Sequence, residues 1–132
     1  RLWPVNKPIV DLVRNVFVEN ERLVFHLREW KSMGRMDLVM VGALNVGRIS
    51  TPFIDNFFSN DFDKTKPSSS RFFDFPAPIP LDRRDLRGVF HLGSTVVMIS
   101  DQELAKFYAL KTIFGSEKIL VGQSLLRNSK NE

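Results

Sequence analysis

Hydrophobic positions in the first third of the chain recur with two different periods. After Pro8, which suits the first turn of a helix, Ile9, Val10, Leu12 and Val13 supply an apolar face before Phe17 and predict a short helix. From Arg22 to Trp30 the period falls to two. Leu23, Phe25 and Leu27 alternate with Val24, His26 and Arg28, the pattern of a half-buried strand with one wetter face. Lys31-Ser32-Met33-Gly34 reads as a turn and Met36 to Val41 as a second apolar strand, so the pair predicts a hairpin. Gly42 and Gly47 bracket Ala43-Leu44-Asn45-Val46, where missing side chains permit close backbone approach.

Residues 50–86 break this regularity. Pro52, Pro67, Pro76, Pro78 and Pro80 interrupt the segment, and Ser68-Ser69-Ser70 marks a loop tip. Seven of the twelve phenylalanines also fall here (Phe53, Phe57, Phe58, Phe62, Phe72, Phe73 and Phe75), which a proline-broken insertion does not need for solubility. Either the insertion packs back on the core, or its aromatics form a surface that meets lipid or another chain. Beyond it, Phe90 to Ile99 predicts one strand carrying Gly93-Ser94-Thr95. Ser100-Asp101-Gln102-Glu103 has the form of a helix capping box, with Leu104, Phe107, Tyr108 and Phe114 available for one helical face. Yet Lys106 to Leu110 also alternates as a strand would, and the pattern leaves both open. Ile119 to Leu126 reads as a turn and a short strand, with a fraying polar end from Arg127 to Glu132.

Composition narrows the chemistry. A chain of 132 residues, 43% hydrophobic and 26% charged, fits one globular domain rather than a disordered tail, and its net charge of +4 is basic without being polycationic. The absence of cysteine excludes disulfides, thiolate metal sites and a Cys nucleophile. Two histidines, His26 and His91, are too few for a multi-histidine metal centre. The longest apolar run, Leu38 to Leu44, is far shorter than a membrane span, and no targeting segment is evident. The start on Arg1-Leu2-Trp3-Pro4 suggests a piece of something longer. Basic residues are scattered rather than set in a stripe with stacking aromatics, which argues against nucleic-acid binding.

Few residues qualify as catalytic on their own. His91 lies three positions before Ser94, and on one continuous strand such residues face opposite sides, which disfavours direct activation. His91 and His26 therefore both read as exposed strand histidines. The carboxylate pairs Asp61/Asp63 and Glu19/Glu21 read as solvated, and no Lys-Ser/Thr follows Gly42 or Gly47 to make a phosphate loop.

Four blocks in order alter this picture. Leu92-Gly93-Ser94-Thr95-Val96-Val97, preceded by Gly88-Val89-Phe90, resembles the Leu-Gly-Ser-Thr processing motif of phosphatidylserine decarboxylases. Val5-Asn6 with Asn20-Glu21-Arg22 is similar to that family's Val-Asn…Asn-Glu-Arg segment, and Val41 to Ile49 to its Val-Gly-Ala-x-x-Val-Gly-x-Ile segment. Lys118 to Leu125 resembles its closing Val-Gly-Gln-x-Leu. Two positions depart from the pattern: the usual Ser of the Val-Gly-x-Ile block is Arg48, and the acidic lead into the processing motif is Arg84-Asp85-Leu86-Arg87.

The resemblance implies a mainly β fold of lipoyl-like character, part of a larger decarboxylase domain, in which Lys106 to Leu110 is strand. It implies self-cleavage at Gly93–Ser94, where the Ser94 hydroxyl attacks the Gly93 carbonyl and converts the amide to an ester. Glycine has no side chain to obstruct that attack. Elimination and hydrolysis then leave a pyruvoyl group at residue 94, the covalent cofactor, with 1–93 ending the β subunit and 94–132 forming the α subunit. Its carbonyl takes the amine of phosphatidylserine as a Schiff base and receives the electrons released with carbon dioxide, giving phosphatidylethanolamine. No metal is implied. Val5 and Asn6 map near the substrate pocket. An Asp and a pair of His lie upstream of the Val-Asn segment in family members, so the chain's own upstream segment is a partner and the chain alone is inactive. A homodimer is compatible with the resemblance, and an anionic membrane surface is a further partner. The implied location is peripheral, on the bacterial cytoplasmic or mitochondrial inner membrane, with the Phe53–Phe75 insertion helping to dock on lipid. The rival expectation is a non-catalytic β-rich lipid- or protein-binding module that keeps Gly93-Ser94 as structure only.

Overall fold

The computed structural model describes residues 2–28, 34–45, 47–61, 70–82, 84–92, 95–101, 108–110, 120, 122–123 and 126–128. The fold is mainly β. Among the described residues, two short helices, α1 (Lys7–Leu12) and α2 (Val16–Glu19), precede seven strands: β1 (Arg22–Leu27), β2 (Met36–Val41), β3 (Ile49–Ser50), β4 (Val89–Phe90), β5 (Thr95–Ser100), β6 (Tyr108–Leu110) and β7 (Leu126–Asn128). One sheet has the order β1-β2-β5, while β3–β4 and β6–β7 form antiparallel pairs.

The helix expected after Pro8 forms for the anticipated reason. Asn6 caps α1, its side-chain oxygen accepting from the Ile9 amide at 3.2 Å, and proline occupies the first turn. β1 shows the predicted alternation, with Arg22, Val24 and His26 exposed and Leu23, Phe25 and Leu27 half-buried. Its neighbour is β2, as the hairpin requires, although the intervening 29–33 lie outside the described residues. Val39, Met40 and Val41 are buried in succession, as befits the central strand of the three.

Two expectations change. The single strand over Phe90–Ile99 is instead two strands in different sheets: β4 pairs with β3, β5 joins β2, and the chain bends at His91 and Leu92. Strand pairing, which residue-by-residue apolarity does not encode, decides the break. The polar end is not wholly frayed either. Arg127 and Asn128 belong to β7 and pair with Ala109 and Tyr108, because backbone hydrogen bonds form regardless of side-chain polarity. Tyr108–Leu110 is strand, as the resemblance implies, while Gln102–Phe107, including half of the capping box, lie outside the described residues.

The chain forms two compact units: Arg1–Leu23 with Val39–Val97, and Val24–Leu38 with Met98–Glu132. The first holds the buried apolar residues Val16, Val39, Met40, Val41, Ala43 and Ile49. In the second, Arg35 and Asp101 fasten each other: the Arg35 amide donates to Asp101 Oδ2 at 2.8 Å, and the Asp101 amide to the Arg35 carbonyl at 3.1 Å.

Candidate active site

The first two motif blocks and the approach to the processing motif, separated along the sequence, are joined by hydrogen bonds within the first unit. Asn20, 1% exposed, accepts from the Trp3 amide at 2.7 Å and donates to the Trp3 carbonyl at 2.9 Å, reproducing with one side chain the double bond of a strand pair. This clamp ties the Asn20-Glu21-Arg22 block to Trp3, two residues before Val5. Val5 is half-buried, and Asn6 is exposed with its side-chain oxygen committed to capping α1.

Glu21 carries the connection onward. The Gly42 amide donates to the Glu21 carbonyl at 2.8 Å, and a Cβ on Gly42 would lie only 3.3 Å from that oxygen, so the close approach read from the sequence is real. The Glu21 carboxylate accepts from the Ser59 hydroxyl. That hydroxyl accepts from the Ile49 amide at 2.7 Å, and the Ser59 amide donates to the Ile49 carbonyl at 2.9 Å. Glu21 is therefore a structural acceptor rather than a solvated charge, a correction to the expectation for Glu19/Glu21. Glu19 keeps one contact, accepting from Trp3 Nε1 at 3.1 Å, and Asp61 is exposed.

The register Ile49↔Phe90 brings the Val-Gly-Arg-Ile block against the approach to the processing motif. Gly88, just before β4, could carry no side chain without a shift, since a Cβ there would lie 2.5 Å from Met40 Sδ and 3.2 Å from the Ser50 carbonyl. His91 follows in a bend, exposed, with its amide donating to the Arg48 carbonyl at 3.2 Å and its Nε2 2.9 Å from Ser50 Oγ. The Phe58 ring lies 5.5 Å from the His91 ring, and the Arg48 guanidinium carbon sits 3.8 Å from the Phe58 centroid. Arg48 has φ 117°, a left-handed backbone that favours glycine, and such strain recurs at functional sites. None of this group was singled out as a site from the sequence. β3 and β4 are two residues each, too short for any periodicity, and only their pairing assembles it.

Leu92, 62% exposed, precedes Gly93 and Ser94, which lie outside the described residues, and Thr95 opens β5. With His91 in a bend rather than on a strand shared with Ser94, the opposite-faces argument against their cooperation loses its premise. His26 remains exposed, as expected, with Nδ1 2.8 Å from Asp37 Oδ1. It borders a cleft of about 410 Å³ in the second unit, together with Arg28, Arg35, Asp37 and Asp101. Among the described residues, no group of three or more potential ligands is placed to hold a metal, and no helix is long and apolar enough to cross a membrane.

The family model for phosphatidylserine decarboxylase matches residues 1–127. The chain is 34% identical to a phosphatidylserine decarboxylase proenzyme of Anaeromyxobacter sp. (strain K), over 80% of this chain and 36% of that protein. It is 32% identical to the proenzyme of Helicobacter pylori (strain Shi470), over 90% of this chain and 43% of that protein. A third relative, phosphatidylserine decarboxylase proenzyme 1, mitochondrial, of Arabidopsis thaliana, is 39% identical over 75% of this chain and 22% of that protein. The chain thus spans well under half the length of these relatives, and no solved structure matches it. The ordered motifs, the hydrogen bonds that join them and a family match over nearly every residue lead to one assignment: the chain belongs to the phosphatidylserine decarboxylase family.

Proposed function

We propose that this chain is the portion of a phosphatidylserine decarboxylase that supplies its pyruvoyl group, cutting itself at Gly93–Ser94 and acting with the protein's own upstream segment. The observation that carries this reading is the family match over residues 1–127, with Leu92-Gly93-Ser94-Thr95 in sequence inside it. The surroundings of the bond suit a cut. β4 is held by β3 and β5 by β2, so breaking the link between them removes neither strand's hydrogen-bonded partner, and the two products stay attached.

In the cut, the Ser94 oxygen bonds to the Gly93 carbonyl carbon as the amide C–N bond breaks, giving an ester. Elimination then releases the Gly93 carboxylate and leaves an unsaturated residue 94, and water replaces its nitrogen, which departs as ammonia. A pyruvoyl group supplies an electron-withdrawing carbonyl that accepts the pair left behind when a carboxylate departs as carbon dioxide. The role of this chain's other residues is to hold that position. The Glu21–Ser59–Ile49 hydrogen bonds fix β3, and β3 fixes β4 immediately before the motif. Val5 and Asn6 are proposed to border the substrate.

Intact-mass measurement of the full-length protein tests the reading. Two pieces are expected, the smaller beginning at residue 94 and refractory to Edman degradation, and Ser94→Ala gives one uncut, inactive chain. A wild-type protein that stays in one piece sinks the proposal and favours the binding-module alternative.

We further propose that the protein docks peripherally on anionic membranes through the exposed part of its insertion, where Phe72 is 84% exposed and Phe73, Phe75 and Ile79 are also exposed. Changing Phe72, Phe73 and Phe75 to Ser is expected to reduce flotation with phosphatidylserine-containing vesicles severalfold. Undiminished flotation rejects this surface.

A further inference from the structure

Arg48, Phe58 and His91 form a cluster whose chemistry the self-cleavage does not use. The guanidinium carbon is 3.8 Å from the Phe58 centroid, the His91 ring 5.5 Å from the same ring, and Ser50 Oγ 2.9 Å from His91 Nε2. Phe58 gives the cation a surface but no conventional acceptor, so the five N–H donors of the guanidinium keep their capacity for an oxyanion. Among the described residues no carboxylate pairs with Arg48. Ser94 follows His91 by three positions, a span of at most about 11 Å however the chain runs.

Resting on the reading that the chain acts on phosphatidylserine, we propose that Arg48 is a substrate-binding residue that holds the phosphodiester of the headgroup, with Phe58 and His91 keeping the guanidinium in place. The phosphate is favoured over the carboxylate by what happens to each charge. The carboxylate loses its negative charge as carbon dioxide leaves, so a cation fixed on it would bind the ground state more tightly than the transition state and slow the reaction. The phosphate keeps its charge throughout, and a cation fixed on it strengthens both states alike. Such uniform binding lowers KM and leaves kcat untouched.

The test uses the full-length protein with Arg48→Met, which keeps an apolar stem over Phe58 without charge, and Arg48→Lys, which restores charge. Cleavage at Gly93–Ser94 is scored first, by mass. A wild-type protein that is not cut, or releases no carbon dioxide from phosphatidylserine, defeats the functional reading whatever Arg48 does. With processing intact, Arg48→Met is expected to raise KM for phosphatidylserine in mixed micelles about tenfold with kcat unchanged, the loss of one charge-assisted contact. Arg48→Lys recovers most of that loss. An unchanged KM, a fall in kcat alone or a rise in kcat overturns the proposal, the last by placing the guanidinium on the carboxylate. A second arm needs no variant. Both probes carry the amine: glycerophosphoethanolamine, whose anion is the phosphate, should compete with substrate in the wild type, whereas L-serine, whose anion is the carboxylate, should not; the reverse order overturns the proposal.

Discussion

Residues 51–61 and 70–80 have similar compositions, each with three phenylalanines and at least one proline, yet the first stretch is fastened into its unit and the second is exposed along its whole length. In the first, Thr51 and Ser59 are buried, Phe53, Phe57 and Phe58 half-buried, and hydrogen bonds run to Arg87, Ile49 and Glu21. In the second, Pro76, Pro78 and Pro80 remove every other amide over 76–80, so the segment has little capacity to join a ladder. Hydrophobic content therefore does not separate the two. The difference lies in where each can place its backbone and hydroxyl hydrogen bonds: the first half packs back on its unit, and the second is exposed.

The sharpest way to break this comparison is a matched pair of serine substitutions. Ser59 is 1% exposed and its hydroxyl serves the Ile49 amide and the Glu21 carboxylate. Ser59→Ala leaves both without that partner and is expected to cost about 1–3 kcal/mol in urea unfolding of the full-length protein. Ser70→Ala, the same chemical change in the exposed stretch, is expected to stay within about 0.5 kcal/mol. Equal losses would mean that the two stretches are held in the same way.

Much of the β framework is legible in the sequence, because β1 and β2 are long enough for alternation and burial to show. Asn6 and Pro8 likewise announce α1 through local chemistry. The candidate site is legible only as motifs. Arg48, Ser50, Phe58 and His91 span more than forty positions and meet through a pairing of two-residue strands, for which no local pattern exists. Glu21 misleads for the same reason, since its partner Ser59 lies 38 residues away. The break between β4 and β5 is hidden because both flanks are apolar and the switch of sheet depends on partners elsewhere. Motif order supplies the family assignment, and the fold shows how the first blocks, far apart in sequence, meet in one unit.

A smaller effect probes the seam between the two stretches. Phe57 from the first and Phe73 from the second meet edge to face, with ring centroids 5.4 Å apart and planes at 83°. Such pairs couple by about 0.5–1.5 kcal/mol when buried, but Phe57 is half-buried and Phe73 exposed, so a value of about 0.5 kcal/mol is expected. A double-mutant cycle on Phe57→Ala and Phe73→Ala measures it, because the single losses include each ring's own burial and only the cycle isolates the contact. Phe57→Ala alone should cost more than Phe73→Ala, since its ring withdraws more area from water. A coupling near zero would mean that this ring contact does not tether the exposed stretch. A coupling above about 1.5 kcal/mol would show it packed like the first stretch, and its aromatics would then be unavailable to a membrane.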